Sequence, residues 1–221
     1  MNVLAFLVAL VIALVLHELA HGLVALWNGD YTAKAFGRLT LNPVKHFDLY
    51  GFIMLLLVGF GWARPVPVNP NNFKNRKVGA ITVSLAGVTT NLLLAFLFAL
   101  PTVALGKVLV QINTALYYLV YFFYVMCSFT VSLNVSFALF NLLPLYPLDG
   151  YRLLSCFVDE RRDIMRFLRR YSIYIMLALL MIDVLASYVP IMRNVSLYYW
   201  WVQWIGGWIR GGFLGFWGLI L

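Results

Sequence analysis

Two of the three histidines in the chain stand four residues apart, in His17-Glu18-Leu19-Ala20-His21. On an α-helix, positions i and i+4 share a face, so both imidazoles can reach one zinc ion at about 2.0–2.1 Å. Glu18 beside them can take a proton from a water that the metal polarises. With three histidines and two glutamates in the chain, chance order gives the pattern in well under roughly one sequence in a thousand. The bland alternative is a capping or snorkelling cluster at a helix end. A catalytic zinc takes three protein ligands and keeps a fourth position open, so a third donor is required. Asp30, Asp48, Asp159, Glu160 and Asp163 fall in polar connections, which leaves Asp149 and Asp183. Asp149 lies in NLLPLYPLDG, residues 141–150, where Pro144 and Pro147 break helix geometry and free the backbone to turn inside the protein. Asp183 sits in LLMIDVLAS, a setting that suits a polar contact between helices better than ligation. His46 has no ligand spacing with the pair and reads as a solvated loop histidine, with a substrate-side or gating role as the alternative.

The elements that must carry these residues belong to a membrane protein. Hydrophobic residues make up 63% of the chain and charged residues 11%, against roughly 25% charged in an ordinary soluble domain. Mean hydropathy is +0.89. A soluble globular protein, a disordered chain, collagen and a coiled coil are excluded together. Cys127 and Cys156 form no CxxC pair and indicate neither a disulfide framework nor a thiolate metal site. The net charge of +8 comes from basic residues at the ends of apolar runs, as in cytoplasmic membrane loops, and does not indicate nucleic acid.

Met1 to Trp27, if helical throughout, is about 40 Å long and can cross the ~30 Å hydrocarbon core. A signal peptide is disfavoured by the lack of a basic leading region and by LHELAHG where a cleavage site would fall. Leu49 to Ala63 contains Gly51, Gly59 and Gly61 and runs into Arg64-Pro65-Val66-Pro67; it is a short span or a re-entrant piece. Val78–Leu105, Ile112–Leu143, Tyr171–Val189 and the tryptophan-rich Val195–Leu221 supply further segments. The expected fold is therefore an all-α polytopic membrane protein with five or six transmembrane helices. It forms one membrane-embedded domain over 1–221, with a core of about 3–152 and additional segments at 171–189 and 195–221. YTAKAFGRLTLN has the alternation of a small β-hairpin or edge strand. An outside amino terminus and a re-entrant 49–63 would put Lys34, Arg38, Lys45, Arg64, Lys74, Arg76, Lys77 and the arginine cluster at 152–170 in the cytoplasm. Gly207, Gly211 and Gly215, spaced by four among tryptophans, suit packing within the chain or a homo-oligomer.

HELAHG at the end of the first membrane segment, followed far downstream by NLLPLYPLDG, resembles the site-2 protease family of intramembrane zinc metalloproteases. RLTLNPVKHFDLYG and GWARPVPVNP extend the similarity over roughly Val3 to Arg152. The resemblance implies that His17, His21 and Asp149 bind one Zn²⁺ per chain and that Glu18 is the catalytic base. Asn141 is implied as a second catalytic residue, holding the substrate peptide or its oxyanion. Two stretches depart from the family pattern: Ala86-Gly87-Val88-Thr89-Thr90-Asn91 lacks the usual proline, and HFDLYG replaces the usual HxDPxG. The implied activity is hydrolysis of peptide bonds in or near transmembrane segments, as in regulated intramembrane proteolysis. The implied partners are transmembrane protein substrates and the lipid bilayer, and the implied location is the cell membrane. The rival is a non-enzymatic zinc-binding membrane protein or a small metal transporter. Transport requires weak sequential sites, whereas one ligand cluster with a glutamate in the base position favours hydrolysis.

Overall fold

The computed structural model describes residues 2–58, 61–112, 116–189, 196 and 199–221, and among these it is helical with no strand. Lipid offers the backbone no hydrogen-bond partner, so apolar segments satisfy their amides internally as helices. Among the described residues, three helices are long and apolar enough to cross a membrane: α1 (Asn2–Trp27), α4 (Arg76–Gln111) and α5 (Tyr117–Asn141). Helix α4 starts where the Asn75 side chain accepts the amides of Lys77 and Val78, each at 3.1 Å, satisfying two of the donors that a helix start leaves open.

These three helices pack on one another as the centre of the molecule. Helix α1 buries Ala5, Ala9, Ala13, His17, His21 and Ala25, and α4 buries Gly79, Val83, Gly87, Asn91, Ala95 and Ala99. Both stripes recur every fourth residue and are built mostly of small side chains, which lets helix backbones approach closely where lipid supplies no hydrophobic drive. His21 meets Val83 while His17 lies against Gly87. The order along α4 is thus reversed relative to α1, and the two helices run antiparallel. Helix α5 closes the bundle with Cys127, Thr130, Val131, Asn134, Val135 and Ala138.

The ambiguity at 49–63 is settled by its ends. Helix α3 (Leu49–Val58) has 10 residues, about 15 Å, half the ~30 Å needed. Phe47 and Ala63 form an antiparallel bridge, and the Arg64 amide donates to the His46 carbonyl at 2.8 Å. The segment leaves and returns at one place, as the re-entrant alternative requires and a full span does not. The expected hairpin at YTAKAFGRLTLN is replaced by a one-turn helix, α2 (Thr32–Ala35). Its amides are used locally, Ala35 N to Tyr31 O and Arg38 N to Ala33 O at 2.9 Å each, which leaves no ladder to form.

Helix α6 (Asp149–Ser155) follows the proline-broken turn after α5, and α7 (Asp163–Tyr188) comes next. Residues 190–195, 197 and 198 lie outside the described residues, and with them the start of the expected last segment at 195, 197 and 198. A π-helical turn at Tyr199–Ile205 then runs into α8 (Gly206–Ile220). Trp201 Nε1 donates to Leu139 O at 2.7 Å and Trp217 Nε1 to Phe96 O at 2.9 Å, tying this part to α5 and α4. Against an expectation of five or six spans, three helices qualify among the described residues.

Candidate metal centre

The alanine stripe that packs α1 against α4 continues as His17 and His21, so close packing of the bundle turns both imidazoles inward. His21 Nδ1 donates to the Val83 carbonyl at 2.7 Å. That bond fixes the ring and leaves Nε2 as a lone-pair donor. The two Nε2 atoms are 3.0 Å apart. Asp149 Oδ2 lies 3.1 Å from His21 Nε2 and 3.4 Å from His17 Nε2. All three residues are buried, and their ligand atoms lie within 4.8 Å of one another.

Two glycines make this convergence possible. At Gly87 any side chain would collide with both imidazoles, and at Gly150 it would collide with the Leu142 and Leu143 carbonyls. Gly150 thus lets α6 tuck under the end of α5 and deliver Asp149 to the histidines. Burial acts to raise the Asp149 carboxyl, but the His17 and His21 imidazoles against it outweigh this and hold the group well below the usual carboxylate range. Asp149 Oδ2 is buried without a hydrogen-bond partner, facing the Nε2 atoms of both histidines. Unpaired lone pairs gathered in an apolar interior are costly unless a cation takes them. Two imidazoles and a carboxylate form a donor set that zinc accepts.

Glu18 is half-buried beside this cluster and stands apart from the group of ligand atoms. Its Oε2 accepts the Val66 amide at 2.9 Å, so the segment returning from 49–63 holds the carboxylate. Asn141 is the last residue of α5, and its Nδ2 donates to Phe137 O at 3.0 Å. The expectation of a solvated His46 is corrected. The ring is 1% exposed and Nε2 donates to Thr40 O at 2.8 Å, because the loop folds back over it. Asp183 hydrogen-bonds Ser196 and lies outside the metal-capable group.

The polar connection near the site is organised by residues that motif spacing did not mark. Asp30 is fully buried and accepts the amides of Thr32 at 3.1 Å and Asn69 at 2.7 Å, and Asn72 Nδ2 at 2.8 Å. Burial opposes its charge, yet these bonds prevail and lower its pKa. Buried Arg38 donates through Nη2 to Arg64 O. The four-residue stripe in α4 could have marked Gly87. Nothing in the sequence could have marked Val66 or Val83, which act through the backbone.

The model of Peptidase family M50 matches residues 5–182. The chain is 44% identical over 187 residues, 82% of each chain, to the protein named "Putative zinc metalloprotease YwhC" of Bacillus subtilis (strain 168). No solved structure matches. A family match over most of the sequence, joined to a buried His17, His21 and Asp149 cluster with Glu18 at its side, establishes that the chain belongs to peptidase family M50, the site-2 proteases.

Proposed function

We propose that this protein is an intramembrane zinc endopeptidase that hydrolyses peptide bonds in or near the transmembrane segments of other membrane proteins in the cell membrane. The observation that carries the reading is a ligand cluster buried between helices long and apolar enough to span, with a spare carboxylate next to it. An ionisable cluster in such a place is expensive and by default marks a function.

His17, His21 and Asp149 would hold the zinc, which when bound supplies a Lewis acid that makes water acidic near neutral pH and polarises a carbonyl. Glu18 takes the proton of the attacking water and later delivers it to the leaving amine, so no covalent acyl-enzyme is needed. The Val66 amide steadies Glu18 through Oε2, leaving Oε1 for this transfer. Asn141, the last residue of α5, is assigned to holding the substrate peptide or its oxyanion.

Comparing the parent with Glu18→Gln in detergent tests this reading against a metal transporter. Cleavage of a single-span substrate should fall by about 10²–10⁴-fold, as for loss of a general base, while zinc content stays at one per chain. Undiminished cleavage would remove Glu18 as the base, and zinc transport without cleavage by the parent would favour the rival.

A further inference from the structure

Metal binding through Nε2 leaves the imidazole proton on Nδ1, and that N–H needs an acceptor to fix the ring and raise its donor strength. His21 has one in the Val83 carbonyl. His17 Nδ1 is buried with none. The nitrogen faces α4, lying 2.6 Å from where a Cβ on Gly87 would sit. A carbonyl of α4 can take a second hydrogen bond, as Val83 O does for His21, but none reaches His17 Nδ1.

Asn91 is the next residue of the α4 stripe after Gly87. It is fully buried, and neither Oδ1 nor Nδ2 has a hydrogen-bond partner. Cα–Cβ bonds tilt towards the amino end of their own helix. Because α1 and α4 are antiparallel, the side chains of His17 and Asn91 lean towards each other over Gly87. Two buried unpaired polar groups on facing helices would each cost free energy if left apart.

We propose that Asn91 is a positioning residue of the metal centre, its side-chain carbonyl accepting the His17 Nδ1–H in the zinc-loaded protein as Val83 O does for His21. This rests on the reading of His17 as a ligand. Asn91 then acts through His17, setting its tautomer and ring orientation, and does not touch substrate. Asn134 on α5 is the competing acceptor, since it is also fully buried and its Oδ1 is unpaired.

The test compares full-length Asn91→Leu, Asn91→Ala, Asn91→Asp and Asn134→Leu in detergent, by zinc competition against a chelator and by the visible spectrum of the cobalt-substituted protein. Asn91→Leu and Asn91→Ala should weaken zinc binding by about 10–100-fold, the usual cost of losing a ligand's outer partner, and shift the cobalt bands. Asn91→Asp retains an acceptor and should restore affinity. If Asn91→Leu does not fold, the Ala and Asp pair decides the question. Parent-like affinity and spectrum in Asn91→Ala, or loss confined to Asn134→Leu, would overturn the assignment. His17→Ala is measured alongside: retained zinc there would fault the ligand reading itself, separately from Asn91.

Discussion

At the scale of single residues, the site separates ligands from bystanders that have the same chemistry. Asp149 and Asp183 are both acids in apolar surroundings, but only Asp149 converges with the histidines. Asp149→Ala should lose zinc and cleavage together, by more than the 10–100-fold typical of outer partners. Asp183→Ala should keep zinc stoichiometry and measurable cleavage. Metal analysis and cleavage of the purified variants check both. Gly87→Ala is a sharper probe of packing, because its methyl must displace both imidazoles. Overpacking of this kind costs about 1–3 kcal/mol. The variant should melt earlier than the parent and bind zinc more weakly, as read by thermal unfolding with and without metal.

At the scale of elements, the segment returning from 49–63 and the polar turn after α1 hold the site's edge. The turn is pinned by Asp30, whose pKa is lowered by the bonds it accepts. A depressed carboxyl contributes stability that is full above its unfolded value of about 3.9 and is lost as pH falls through the folded value. The parent should therefore lose thermal stability on acidification below about pH 4. Asp30→Asn should be less stable at neutral pH and show a shallower acid dependence, because it has no charge to titrate there. Thermal melts in detergent between about pH 3 and 7 decide this, and parallel curves for the two proteins would show that Asp30 does not contribute.

At the scale of the whole molecule, antiparallel α1 and α4 and the re-entrant 49–63 place Lys34 to Lys45 and Arg64 to Lys77 on one side of the bundle. Basic loops favour the cytoplasm. Cysteine labelling of intact cells should find residues 34–45, 64–77 and 159–170 all inside, and external labelling of 159–170 would reverse the orientation. A substrate helix entering such a site hides its peptide bonds behind side chains, with each carbonyl tied to the amide four residues on. Model substrates with Gly, Pro or Asn near the cytoplasmic end of their span should be cut faster than leucine-replaced versions that bind equally well. Equal rates across such a panel would show that unwinding does not limit cleavage.

The sequence by itself determined the chemistry and the solvent. His17, Glu18 and His21 were legible because a helix repeats every 3.6 residues and places i and i+4 together whatever surrounds them. The apolar runs were legible because the hydrocarbon core sets a fixed length. Asp149 was narrowed to one of two acids by local chain geometry and singled out by family resemblance, but only the tuck of α6 beneath α5 at Gly150 brings it within 3.1 Å of His21. The hairpin and the solvated His46 lay in the polar connections, and the undecided apolar 49–63 segment leaves and returns to them. There the partners of polar groups are distant residues, such as the Asn69 amide for the Asp30 carboxylate and the Arg64 amide for the His46 carbonyl. No local period encodes such contacts, and they exist only once the bundle has closed.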